Sequence, residues 1–187
     1  MKPSRSRVRA DALLDRLAGG DRRSLGRAEE VAGAVAQAPE LLPHLVQGIE
    51  AADECVRMRA ADALEKVTRE HPEWLRPFKR RLLRLAAGGT QQEVRWHLAQ
   101  MLPRLPLGPA ERREAIAIVD GYLDDRSGIV RTSALQALAE LGGDDPATAP
   151  MVRRRLLRAA ESGTPAMQAR ARKLLARFSA AATGRPR

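Results

Sequence analysis

The segment Val56-Arg57-Met58-Arg59-Ala60-Ala61-Asp62-Ala63-Leu64 decides the fold, because its pattern recurs three times along the 187-residue chain. The later copies begin at Val94, Val130 and Met167, at intervals of 38, 36 and 37 residues. Each copy has apolar residues at its first, fifth and ninth positions, which is the spacing of one stripe on an α-helix. A helix with such a stripe must bury it against neighbours, so the recurrence predicts stacked helical repeats.

A second set of amphipathic segments lies between these helices and supplies an outer partner for each. These outer segments cover about 41–51, 73–87, 110–123 and 147–161. Gly pairs follow two predicted helix ends, and Thr90-Gln91-Gln92-Glu93 has the spacing of a capping box. A weaker unit pairs residues 9–18 with 24–38, and no segment has the sustained alternation of a strand. The sequence therefore predicts an all-α solenoid of about five antiparallel helix pairs.

The repeats are expected to form a single domain over residues 8–179. Its five units are expected at about 8–38, 39–70, 72–105, 109–141 and 146–179. The flanks 1–7 and 180–187 are rich in Arg, Pro, Ser and Gly, so we expect them to be disordered basic tails.

The charge of the chain is strongly basic but is distributed in blocks. The formal net charge is +10, yet residues 28–75 carry −6 and residues 76–113 carry +7. No stretch approaches the roughly 20 apolar residues of a membrane span, and the start is not an apolar signal core, so we expect a cytoplasmic protein. Cys55 is the only cysteine, which excludes an intrachain disulfide and a Cys-based zinc site; we expect it to be a packed small side chain.

The chain resembles the HEAT-repeat family. The resemblance is closest in Pro39-Glu40-Leu41-Leu42-Pro43-His44-Leu45-Val46 followed by residues 53–64, and it covers about residues 39–178. It implies a right-handed, two-layer array in which the first helix of each pair is convex and the second concave. The period is shorter than the roughly 40 to 47 residues of most HEAT units, as in the related phycobilisome-lyase-type repeats.

The resemblance also implies a ladder of arginines between successive units. The ladder positions match Arg57, Arg95 and Arg131, each of which is expected to pair with a turn aspartate such as Asp53 or Asp125. The last unit departs from this pattern, because Gln168 stands where its ladder arginine is expected.

The helical register predicts which side chains face a partner. With the first, fifth and ninth positions buried, the third and seventh lie roughly opposite, on the concave face. The residues expected to bind a protein partner are Trp96, Met58, Gln100, Thr132 and Gln136, bordered by Arg59, His97 and Arg104. Trp and Arg are enriched at the energetic centres of interfaces. The alternative interpretation is that Trp96 only fills a gap over a neighbouring helix.

Basic clusters on the outer segments suggest a second kind of partner. The residues that could contact phosphates are Arg76, Arg80, Arg84, Arg153, Arg154 and Arg158. Arg76, Arg80 and Arg84 recur every four residues and so form one stripe on a helix. Such a stripe binds nucleic acid in some proteins and is only a solvated face in many others.

The sequence contains no recognisable catalytic motif. It has three histidines and no HExxH, no GxSxG and no Gly-rich phosphate-binding loop. We therefore predict a non-enzymatic binding or scaffold module with no metal or cofactor, no small-molecule substrate and a protein partner, favoured to be monomeric. The alternative is a nucleic-acid-binding protein; one variant is a HEAT-like DNA glycosylase that uses Trp96 and Asp62. A chaperone similar to chromophore lyases is a third possibility.

Overall fold

The computed structural model describes residues 12–21 and 24–183, and no strand occurs in those ranges. A helical segment at 12–15 precedes a series of helices. They are α1 (Ala28–Gln37), α2 (Leu42–Gly48), α3 (Glu54–Glu70), α4 (Lys79–Gly88), α5 (Gln92–Met101), α6 (Pro109–Gly121), α7 (Gly128–Gly142), α8 (Ala149–Ser162) and α9 (Pro165–Thr183). Short 3-10 segments occur at Pro39–Leu41, Pro72–Phe78, Leu102–Arg104 and Tyr122–Asp124. The predicted all-α class is confirmed.

The helix ends follow local chemistry, although one predicted cap is wrong. Asp53 caps α3, because its Oδ1 accepts hydrogen bonds from the backbone N–H groups of Cys55 at 2.7 Å and Val56 at 3.1 Å. The capping box predicted at 90–93 does not form. Gln91 occupies the cap position of α5 without a side-chain cap bond, since its amide group binds Arg57 and the Glu54 carbonyl instead.

Prolines divide the outer segment predicted at 73–87 into two parts. Residues Pro72–Phe78 form a 3-10 helix, and the α-helix begins only at Lys79. Pro77 has no N–H and its ring fixes φ, so an α-helical hydrogen bond cannot be donated at that position. The tighter 3-10 turn accommodates it.

The helices pack mainly against neighbours in the sequence. The helices α1, α3, α5, α7 and α9 form a series in which each packs against the next. The other helices, α2, α4, α6 and α8, pack against the member of this series that follows each of them. Leu, Val and Ala side chains form most of the buried core, as the low aromatic content requires. This arrangement places α5 and α7 at the middle of the series.

The chain ends differ in part from the predicted tails. Helix α9 continues to Thr183 and therefore enters the segment 180–187 that was predicted to be disordered. Ala and Ser dominate residues 179–182, and they extend a helix readily when the preceding turns are already packed. The predicted tail at 1–7 and residues 184–187 lie outside the described residues.

Candidate binding surface

Four of the side chains predicted on the concave face are accessible in part. Trp96 and Gln100 on α5, and Thr132 and Gln136 on α7, are neither buried nor fully exposed. They occupy equivalent third and seventh positions on two helices that pack against each other. We call these four residues the Trp96 row. The indole of Trp96 packs partly on the core, so part of its surface remains for a ligand.

Three other side chains predicted to face a partner are buried, which corrects the prediction. Met58 is 3 % exposed, Arg59 is 2 % exposed and His97 is 6 % exposed. Helices α1, α2 and α5 all pack against α3, so α3 has little free surface on the side that the register leaves open. Arg59 is covered in addition by the segment before α1, and His97 lies against Asp62 between α3 and α5.

Arg59 anchors the chain segment between residues 17 and 24. Its Nη1 donates to the carbonyl oxygens of Leu17 at 2.7 Å and Gly19 at 2.5 Å. Its Nη2 donates to the Asp21 carbonyl at 3.0 Å, and its Nε donates to the Ser24 carbonyl at 3.1 Å. Four backbone carbonyls thus replace the water that an exposed guanidinium would bind. Arg59 therefore has a structural role and is unavailable to a partner.

Glycine allows this segment to approach the guanidinium closely. Gly26 has a φ of +51°, and a Cβ there would lie 3.0 Å from Cζ of Arg59. A larger residue would be strained in this backbone conformation and would also press on the planar group.

A charged cluster joins α3 to α5 and the 3-10 segment that follows it. The carboxylate of Glu65 accepts hydrogen bonds from Arg69 Nη2 at 2.6 Å and Arg104 Nη2 at 2.5 Å. Burial opposes the ionisation of Glu65, but the two arginines outweigh it and hold its pKa below the ordinary value. Arg104, predicted to border the partner site, is thus engaged in an internal ion pair.

His97 and Asp62 lie at the centre of the same interface. His97 Nε2 is 3.8 Å from Asp62 Oδ1, and neither imidazole nitrogen has a hydrogen-bond partner among the described residues. Burial lowers the pKa of His97 to about 4, which outweighs the opposing effect of Asp62. The imidazole is therefore neutral near pH 7. Asp62 is itself 5 % exposed and ion-paired with Lys66, so it does not face the concave side as the glycosylase hypothesis requires.

Two of the three ladder arginines bind acceptors in the turn before the next helix of the series. Arg95 forms an ion pair with Asp125, with 2.5 Å between Nη1 and Oδ2, and also donates to the Gly89 carbonyl. Arg57 donates to the side-chain oxygen of Gln91 at 2.8 Å. It does not pair with Asp53, because that carboxylate is used as the cap of α3. Arg131, the third member, is described below with the cavity that it lines.

The outer basic clusters are accessible, but only part of their charge is free. Arg76, Arg80, Arg84, Arg153, Arg154 and Arg158 are all exposed. Arg80 lies 3.6 Å from Glu111, and the neighbouring Arg155 is held by Asp120. No carboxylate of the described residues lies within ion-pair distance of the other five. These five carry uncompensated positive charge on the outer helices.

Trp74 and Cys55 are packing residues, as predicted for Cys55. Trp74 packs against the core and stacks on His71 with 4.1 Å between ring centroids. Cys55 is buried. Within the described residues no group of three His, Cys, Asp or Glu side chains is placed to hold a metal ion. No helix in that part of the chain is both long enough and apolar enough to cross a membrane.

Neither protein-family models nor curated proteins give a match to this chain. The resemblance to HEAT repeats therefore stays a prediction from the internal repetition of the sequence.

Proposed function

We propose that the chain is a HEAT-like α-solenoid that acts as a non-catalytic binding module for a protein segment. The serial packing of α1, α3, α5, α7 and α9, with one of the other helices against each later member, supports the solenoid. Arrays of this kind offer extended concave surfaces to their partners. A single domain of five units and a location in the cytoplasm remain parts of this proposal.

The observation that carries the proposal is the partly exposed Trp96 row at the middle of the series. A partly exposed indole supplies a large apolar contact at little cost in side-chain entropy. Gln100 adds an amide group beside it, while the Thr132 hydroxyl donates to the Gly128 carbonyl. Gln136 is already oriented, since its Oε1 accepts a hydrogen bond from Arg170 of α9 at 2.8 Å and its Nε2 donates to Glu140. A polypeptide segment with an apolar side chain and free backbone groups suits this surface.

The proposal is tested by affinity capture from native extract after nuclease treatment. We expect Trp96→Ala and Thr132→Arg to lose a partner that the wild type retains; the arginine blocks the row without removing packed atoms. The control is Leu157→Ala, which removes an exposed apolar side chain from the outer helix α8. Equal recovery of every partner by all four proteins would remove the Trp96 row from the proposed function.

Nucleic-acid binding is the second candidate, favoured by the five uncompensated arginines on the outer helices. Each phosphate neutralised releases a counterion, so affinity must fall steeply between about 50 and 200 mM salt. We expect Arg76→Glu with Arg84→Glu to abolish a mobility shift of DNA or RNA. The control is Arg172→Glu with Lys173→Glu, an equal charge reversal at two exposed sites on α9. Absence of any shift at low salt would eliminate this candidate.

A further inference from the structure

Arg131 occupies the same repeat position as Arg57 and Arg95 but lacks their acceptor. Arg57 reaches Gln91 and Arg95 reaches Asp125, each located just before or at the start of the next long helix. The corresponding place for Arg131 is the turn at Gly163 and Thr164, which offers no carboxylate. The Nε atom of Arg131 is buried and has no hydrogen-bond partner among the described residues. A buried, unpaired donor of a charged group is costly unless a ligand completes it.

An open cavity of about 270 Å³ lies where the missing acceptor would stand. Its polar lining consists of Arg131 from α7, Arg155, Arg158 and Ser162 from α8, Thr164 and Asp124. Leu123, Leu135, Ala159 and Met167 form its apolar part. The cavity is therefore a concave space with cations on two neighbouring helices.

The charge of this cavity is not balanced by the protein. Arg155 is held by Asp120, with both carboxylate oxygens accepting hydrogen bonds at 2.8 and 2.7 Å. Asp124, the one acidic residue of the lining, also attracts Arg155 electrostatically. Arg158 is exposed and has no ion pair within the described residues. Arg131 and Arg158 thus have no carboxylate partner among the described residues, and the three arginines with Asp120 and Asp124 give the site a net charge of +1.

We propose that this cavity binds a terminal phosphate group, held by Arg131 and Arg158. A phosphate monoester carries nearly two negative charges at neutral pH, so the net positive charge of the site attracts it and both guanidinium groups without a carboxylate partner can bind it. Its oxygens accept the paired N–H donors that arginine presents. The cavity also lies at the N-terminal end of the 19-residue helix α9, whose dipole favours an anion there. Phosphate would supply to Arg131 the oxyanion that Asp125 supplies to Arg95.

This site is independent of the proposed protein-binding surface, because no residue of the Trp96 row lines the cavity. It also differs from a nucleic-acid footprint, in which internal phosphodiesters carry one charge each and are contacted in series. The ligand class is a small molecule or modified side chain that ends in a phosphate.

The test is a titration of the intact protein with inorganic phosphate, with sodium chloride used to hold the ionic strength constant. Ligand binding to the native state raises the unfolding temperature with ligand concentration. We expect the wild type to show this rise and Arg158→Gln to weaken the apparent affinity about tenfold or more, since it removes a charged hydrogen-bond donor. Arg131→Gln should have the same effect. Arg158 has no internal partner, so its variant keeps the test valid even if Arg131→Gln fails to fold.

The matched control is Arg153→Gln, which removes an equal charge from the same helix but does not line the cavity. It should bind phosphate as the wild type does. No phosphate effect on the wild type, or equal weakening by Arg153→Gln and Arg158→Gln, would overturn the proposal. An oligonucleotide without a terminal phosphate should not compete with phosphate. If it competes and Arg158→Gln removes the competition, the assignment to a terminal phosphate is wrong.

Discussion

At the scale of single residues, Arg59 shows how a charged side chain can serve the fold instead of a partner. Its guanidinium is bound by four carbonyl groups of residues 17–24. Replacement by Met leaves these carbonyls without a donor, and buried acceptors that lose a charged donor are expensive. We expect Arg59→Met to lower the free energy of unfolding by about 3 kcal/mol, measured by urea denaturation. Arg84→Met, at an exposed site, is the control and should change it by less than about 0.5 kcal/mol.

The burial of Arg59 could not be predicted from the helical register of α3. Periodicity identifies the stripe that faces the core, but it does not show what covers the opposite side. The cover includes residues 17–21 and Ser24, which have no apolar period. The positive φ values of Gly19, Gly20 and Gly26 are visible only in the structure. By contrast, the accessible positions at Trp96 and Gln100 follow directly from the same register.

The burial of His97 predicts how the free energy of unfolding depends on pH. Its pKa is about 4 in the folded protein and about 6.5 when unfolded. The unfolded state therefore binds more protons below pH 6.5, so the free energy of unfolding falls as the pH drops from about 6.5 towards 4. His97→Gln should remove about 2 kcal/mol of this loss at pH 5. Urea denaturation of the wild type and of His97→Gln at pH 7 and pH 5 measures this difference in the free energy of unfolding.

The comparison for this experiment is His71→Gln, which removes an imidazole that is 43 % exposed. An identical pH dependence in the wild type and in His97→Gln would show that the buried imidazole does not titrate in this range. Glu65 also loses its stabilising ion pairs on protonation, but only at a pH below its ordinary pKa.

At the scale of helices, a glycine sets the distance between α2 and α3. A Cβ on Gly48 would lie 2.8 Å from Cβ of Ala60 and 2.7 Å from Cδ2 of Leu14. The backbones must separate to admit it, so Gly48→Ala should lower the free energy of unfolding by about 1 to 3 kcal/mol. Gly33→Ala is the matched control, because Gly33 is exposed within α1 and has no atom within 4 Å of the added Cβ. It should raise the free energy of unfolding by about 0.5 to 1 kcal/mol, and thermal unfolding distinguishes the two signs.

Helix positions were predictable from the sequence because each helix carries its own signals. The apolar stripe beginning at Val56 places α3 without reference to the rest of the chain. The contact between successive units was harder to predict. Gln91 occupies the cap position of α5, but its side chain binds Arg57 instead of capping the helix. A short motif such as residues 90–93 does not include the competing partner 34 residues away.

At the scale of the whole molecule, the same repeat position has different surroundings along the series. Met58 and Trp96 occupy equivalent positions, yet Met58 is buried and Trp96 is partly exposed. The helices α3 and α5 both have neighbours on both sides in the series, but α3 is covered in addition by residues before α1. Such differences depend on how units stack, and a pattern within one unit does not contain that information. The repeat pattern likewise does not identify the binding partner.

The difference in burial between helices predicts a difference in local stability. Twelve of the 17 residues of α3 are buried, whereas α9 packs chiefly on α7 and α8. In an array whose units contact only their neighbours, an end unit can open without disrupting the rest. Native-state hydrogen exchange should therefore give α9 an opening free energy at least about 2 kcal/mol below that of α3. Equal protection of α3 and α9 would show that the chain opens as one cooperative unit, which a serial stack of repeats does not predict.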